Sequence, residues 1–287
     1  MTIHGTITSL EDFNKIISEI RHRRAITQAY GLPFRQEFCR GQLDVNWLIK
    51  PSLTRNLKTP EIVEKAENEI LELFKKEIEA NKCAHRIFLH NDPYAFQNDW
   101  AWLSQAQHYG IPTRLLDWTL KPEVALYFAV DNSKFDDTDG QFLVMYVPIN
   151  EVKTESSKFK QYFDTHPKSI SETWFLNPSF YQHDNHDDTT AEVRRARQHG
   201  KFTMQTFEKS LLGLDEQKEF HIPWHENLET FTIEKYIIPA NAKPQLRLDL
   251  ISDGWHGEFL YANDDPIINS IQVKCKQLLS DIEKNGS

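Results

Sequence analysis

Three short segments hold side chains whose types and spacing could do chemistry. The first reads Phe38-Cys39-Arg40-Gly41-Gln42. An arginine at a strand end offers a planar fork of donors matched to phosphate or carboxylate. Gly41 after it lets the backbone turn and lets a ligand come close. The alternative is an arginine bonded to loop carbonyls. The second segment, QHYGIPTRLLDWT at 107–119, carries His108, Arg114, Asp117, Trp118 and Thr119 around a Gly-Pro break. His108 can donate or accept near neutral pH. Arg114 and Asp117 either pair with each other or face a ligand. Thr119 either caps the next helix or points at a ligand, and Trp118 is either core or a stacking face. The third segment, AEVRRARQHGKFTMQTF at 191–207, places Glu192 and Gln198 before a turn at Gly200 that enters a strand at Phe202.

Other chemistries lack their signatures. The sequence has no HExxH, no Walker loop, no Rossmann glycine fingerprint and no GxSxG elbow. His183 and His186 lie beside Asp184 and Asp187, but a zinc site needs more ligands at defined spacing, so a solvated acidic loop is the expectation and no metal is assigned. Cys39, Cys83 and Cys275 are odd in number and far apart. They form neither a disulfide framework nor a zinc pattern, which points to a reducing cytoplasm. The start of the chain does not read as a secretory signal, and no apolar run is long enough for a membrane. Net charge is −9 with a pI near 5.7, against non-specific nucleic-acid binding over the whole surface. Local basic clusters remain at 21–24 (RHRR) and 194–197 (RRAR).

The elements that must position these groups follow from periodicity. Ser9 to Asp12 fits a capping box, and Leu10, Phe13, Ile16, Ile17 and Ile20 predict a helix over 10–29. Thr59-Pro60 opens a second helix whose Ile62, Ala66, Ile70, Leu73, Phe74 and Ile78 form one apolar side, with Glu and Lys covering the other. Further helices are expected at 98–109, at 122–131 (too apolar for a surface helix), from Lys243, and after Asp265-Pro266. Strands are expected near 34–41, at 115–119, 140–148 and 231–239, with a short extended piece at Trp47–Leu53. Long helices come first and strands cluster later without a βαβ rhythm, so the class is α+β. The expectation is one domain over 1–287, with a helical part to about 110, a sheet core from 111, and an insertion or lid at 150–190.

The blocks FCRGQLDVNWLIKPSLTR, AQHYGIPTRLLDWTLKPEVALYFAV and RRARQHGKF together resemble the FRG-domain family, from about residue 30 onward. The family's aromatic-Arg-Gly motif corresponds to Phe38-Cys39-Arg40-Gly41, with Cys39 standing in the aromatic position. The family is in turn distantly similar to mono-ADP-ribosyltransferases, which implies a split mixed sheet core and NAD as substrate. In that larger group an aromatic-Arg-Gly motif ends the first core strand, and a Ser-Thr-Ser segment leads into a Pro-x-x-Ala-x-x-Phe-Ala helix. Here Asp117-Trp118-Thr119 falls where Ser-Thr-Ser would. The third element, a Glu on the nicotinamide ribose, is either Glu192 or replaced by Gln198. The resemblance therefore implies catalysis through Arg40, Thr119 and Gln198 or Glu192. NAD would be held by Arg40, Gly41, His108, Arg114 and Asp117, with Trp118 or Tyr127 stacking on a ring. It implies a cytoplasmic toxin or antiviral defence effector that modifies a nucleic acid or protein and is restrained by an antitoxin or inhibitor. The alternative is a non-catalytic nucleotide-binding module with the same pocket.

Overall fold

The computed structural model describes residues 3–32, 34–82, 98–154, 166–177, 199–220, 231–260 and 266–285. Among the described residues eight strands form one mixed sheet: β1 (Ile3–Thr6), β2 (Arg35–Gln42), β3 (Leu115–Thr119), β4 (Gly140–Pro148), β5 (Val152–Thr154), β6 (Trp174–Asn177), β7 (Gly200–Met204) and β8 (Thr232–Ile238). Their spatial order is β1-β8-β4-β2-β3-β7-β6-β5. Only the outermost pairs, β1 with β8 and β5 with β6, run parallel. The helices are α1 (Leu10–Ala29), α2 (Pro60–Ala80), α3 (Asp99–His108), α4 (Pro122–Val130), α5 (Lys243–Ser252), the single turn α6 (Gly257–Leu260) and α7 (Pro266–Asn285).

The helix ends follow from local chemistry. Ser9 Oγ accepts from the Asp12 amide at 3.1 Å, while the Asp12 carboxylate accepts from the Thr8 amide at 3.0 Å. Thr59 caps α2 and Pro60 takes its first position. Gly110, at φ 68°, closes α3: the Ile111 amide reaches back to the Ala106 carbonyl at 2.9 Å.

Two cores sandwich the sheet. On one face α1, α4 and α5 bury Phe13, Ile17, Val124 and Leu246 against Cys39, Phe142, Val144 and Tyr236. On the other face Phe38, Trp118, Leu143, Met145, Phe175 and Phe220 pack together. A further core joins α2, α3 and α7 through Phe74, Trp102 and Ile271. Gly41 sets the spacing on the first face. A Cβ there would stand 1.9 Å from the Ala125 carbonyl oxygen and 2.7 Å from the Ala129 nitrogen. The residue thus lets α4 lie directly on β2; what comes close to it is a helix.

Three expectations are corrected. The sheet does not begin at 111, because β1 and β2 from the helical part pair with β8 and β4. The stretch 150–190 is not a separate insertion where it is described: β5 and β6 complete the sheet, and 155–165 and 178–190 lie outside the described residues. Trp47–Leu53 forms no strand; it ends in a 3₁₀ turn at Ser52–Thr54. A Gly41→Ala substitution is expected to cost at least about 2 kcal/mol, because neither contacting backbone atom can move alone. Urea unfolding checks this: an unchanged midpoint would mean that α4 does not rest on β2.

Candidate functional site

The three motifs lie roughly 80 residues apart in the chain and meet on three adjacent strands. Cys39 of β2 pairs with Thr119 of β3, and Thr119 pairs with Gly200 of β7. β2 and β3 share only this one registered pair, whereas β2 and β4 pair along their whole length. The sheet is therefore loosely joined at β2–β3, and Arg40 bridges the gap. Its Nη1 donates to the Asp117 carbonyl at 2.6 Å, and its buried Nε has no partner among the described residues.

Cations gather here with little acid to match them. Strand alternation puts Arg40 on the face of Phe38, and the register sets Lys201 beside Trp118 on that same face. Burial pushes the Arg40 guanidinium down to about 10, with Asp117 opposing and the charge of Arg55 adding. Burial alone pushes the Lys201 ammonium down to about 8 and also lowers Arg55. Among the described residues no carboxylate bonds Arg55 or Lys201. Arg40 and Lys201 are half-buried and Arg55 is exposed; a half-buried cation with little counter-charge carries a desolvation cost that an arriving anion relieves.

The carboxylate of Asp117 is exposed and accepts from the Gln107 side chain, whose Oε1 in turn accepts from Thr113 Oγ1 at 2.6 Å. Thr119 is buried, and its Oγ1 accepts from the Lys121 amide at 3.0 Å, a turn that leads into α4. Trp118 is a core residue, its Nε1 donating to Thr203 Oγ1 at 3.1 Å. Tyr127 packs in the core beneath α4. His108 is buried, edge-on to Tyr109. Glu192 and Gln198 lie outside the described residues, as do His183, His186 and the basic run at 194–197; among the described residues no cluster of His, Cys, Asp and Glu suits a metal.

Arg114 corrects the expected pairing. Its partner is Glu67 of α2, not Asp117. Nε donates to Glu67 Oε1 at 2.9 Å, Nη2 to Oε2 at 2.7 Å, and Nη1 to the Gln205 carbonyl at 2.7 Å. The guanidinium also lies 3.7 Å over the Phe207 ring, and the side chain is fully buried. It is therefore a structural clamp with no face left for a ligand. Sequence reasoning missed three residues. Glu67 sits within the apolar stripe of α2, between Val63 and Ile70 on the buried side, and that spacing was its signal. Arg55 and Lys201 carried no local signal; strand pairing reveals Lys201, and its charge on Arg40 reveals Arg55.

A mixed α/β sheet with a cationic seam between two of its central strands thus defines the class. Residues 35–138, from the start of β2 to just beyond α4, match the FRG domain family. No curated protein and no solved structure matches the chain.

Removing the charge of Glu67 (Glu67→Gln) leaves Arg114 buried and uncompensated, and is expected to cost about 3–5 kcal/mol in urea unfolding. Asp117→Asn, at an exposed carboxylate, stays within about 1 kcal/mol. Equal costs would contradict the assignment of the clamp. The seam also predicts a pH dependence. Lys201 loses its proton as pH rises through about 8, so pyrophosphate affinity falls between pH 7 and 9. Isothermal titration calorimetry is expected to show that fall in the parent and a flatter profile in Lys201→Met.

Proposed function

We propose that the chain is an ADP-ribosyltransferase of the mono-ADP-ribosyltransferase type that takes NAD as substrate. The observation that carries this reading is the row Cys39–Thr119–Gly200, which draws three sequence-distant motifs to one seam. The unmatched cations Arg40, Arg55 and Lys201 suit the two phosphates of a dinucleotide. In the reaction the bond between the ribose C1′ and the nicotinamide nitrogen breaks. Its electron pair leaves with nicotinamide, which becomes neutral. An acceptor nucleophile then bonds C1′ and releases a proton. The transition state resembles an oxocarbenium ion, as in glycoside hydrolysis. The protein's part is to position the dinucleotide and to stabilise the developing ribosyl charge. Arg40, whose Nη1 is held by the Asp117 carbonyl, supplies positive charge to a phosphate. The resemblance gives the ribose contact to Glu192 or Gln198, which lie outside the described residues. The acceptor is a nucleic acid or a protein, which makes the chain a toxin or antiviral effector with a restraining protein partner.

One observation favours a second reading, a nucleotide-binding module without catalysis. The Thr119 hydroxyl already holds the Lys121 amide, and Trp118 and Tyr127 are packed in cores. Both readings are separated by labelled NAD incubated with the protein and with cellular RNA, DNA and protein. The transferase releases nicotinamide and labels an acceptor, and Arg40→Ala slows release by about 10²–10³-fold. Binding of NAD without release selects the module. Equal release by Arg40→Ala removes the proposed role of the seam.

A further inference from the structure

Lys201 offers the seam more than a positive charge. It is half-buried on β7, and no carboxylate among the described residues bonds it. The titratable groups around it are almost all basic. His199, where the chain enters β7, sits in the left-handed region at φ 47°, and its carbonyl accepts from the Leu120 amide at 3.3 Å. That bond draws the start of β7 to the turn between β3 and α4, where Lys121 lies. Burial first, then the charges of Lys121 and Lys201, hold the His199 imidazole below its usual range, so at neutral pH it stands near Lys201 as an uncharged ring. On β3, Lys201 pairs with Trp118 and so shares the face of Arg40, while Asp117 alternates to the other face. On the far side, β6 carries no charged residue.

An amine in such a place gives up its proton early. Burial brings the Lys201 ammonium down to about 8. About a tenth of it is then free amine at pH 7, against well under about a thousandth for an ordinary lysine. A desolvated lysine without an acidic partner is the setting in which this side chain attacks carbonyl groups. The positive field of Arg40, Arg55 and Lys121 favours a carbonyl compound that brings its own negative charge. We propose that Lys201 is a covalent capture site for phosphorylated aldehydes, which it holds as an imine with the phosphate in that positive field. The amine nitrogen bonds the carbonyl carbon, and the carbonyl oxygen leaves as water with the two amine hydrogens. Nothing is oxidised or reduced. The imine nitrogen then takes up a proton, so position 201 keeps its positive charge, now matched by the attached phosphate and closed to a second anion.

The test treats the full chain briefly with pyridoxal 5′-phosphate as probe, traps the imine with borohydride and reads each lysine by peptide mass spectrometry. The exposed Lys15 and Lys58 are internal references. At pH 8, Lys201 is expected to be labelled at least about tenfold faster than either, because more of it is free amine. The ratio of Lys201 to Lys58 falls as pH rises from 8 to 10, where an ordinary exposed lysine is still losing its proton. With pyridoxal, which lacks the phosphate, the same ratio is several-fold smaller. Inorganic pyrophosphate protects Lys201 and leaves Lys15 and Lys58 unprotected. Lys201→Arg, which keeps the charge and removes the nucleophile, abolishes the fast label at an unchanged thermal midpoint. Labelling of Lys201 no faster than of the references, a ratio that rises with pH, equal ratios with both probes, or no protection by pyrophosphate would each overturn the proposal. None of these results depends on NAD turnover, so the capture site stands or falls apart from the transferase reading.

Discussion

The ion pair between Arg114 and Glu67 is the constraint on which the seam depends. Arg114 is the residue before β3, and Glu67 lies midway along α2. Two carboxylate oxygens, two backbone carbonyls and an aromatic ring surround one guanidinium. Such a buried pair adds little net stability over an apolar substitute, but its breakage leaves a charge stranded. Its effect is geometric. It joins the α2–α3–α7 layer to the strand that carries Asp117 and Thr119, and through Gln205 to the end of β7. Two of the three strands that meet at the seam are therefore anchored to the same helical layer by one side chain.

The third strand, β2, is held differently. It pairs fully with β4, and α4 lies directly on Gly41. The two halves of the sheet thus have separate supports and touch through one residue pair and one arginine. That division explains why Arg40 is half-buried and bonded to a backbone carbonyl, with the Asp117 carboxylate acting on it only through its charge. It occupies a place where the backbone ladder is incomplete, and a carbonyl oxygen accepts one of its donors. A second division runs along α1. Arg23 donates to Glu234 at 2.6 Å, and Glu234 also accepts from Tyr146 and Tyr236 at 2.9 Å each. Of the basic cluster at 21–24, Arg23 is thus structural and Arg24 is paired with Glu37, so only Arg21 of its three arginines lacks a counter-charge among the described residues.

The sequence declared its helices more fully than its sheet. Ser9, Thr59-Pro60 and Gly110 are capping residues with local consequences, and α1, α2, α3, α4, α5 and α7 run close to where periodicity put them. β4, with its apolar run from Phe142 to Val147, and β8, rich in β-branched and aromatic residues, were equally plain. β1, β5 and β6 span three or four residues, too few for alternation to emerge. At the site, Arg40, Asp117 and Thr119 were legible because a turn or break follows or precedes them. Glu67 was hidden by its type: a glutamate on a helix is read as solvated unless its phase is checked against Val63, Ile70 and Phe74. Lys201 gains meaning only from long-range strand pairing, and Arg55 only from its charge on Arg40, neither of which a local pattern encodes. Gly41 was legible as special, yet the atoms that approach it belong to α4, 84 and 88 positions further on, at Ala125 and Ala129.

The two outermost strands carry a different consequence. β1 has four residues and β5 three, and each runs parallel to its neighbour. A free sheet border is a row of unused amides and carbonyls on which a foreign chain can template itself. Here each border strand offers only a few such groups, and the longest strands, β2 and β4, lie inside. A sheet this wide is thereby poorly suited to stacking border to border with its own copies, even though its middle is only lightly stitched.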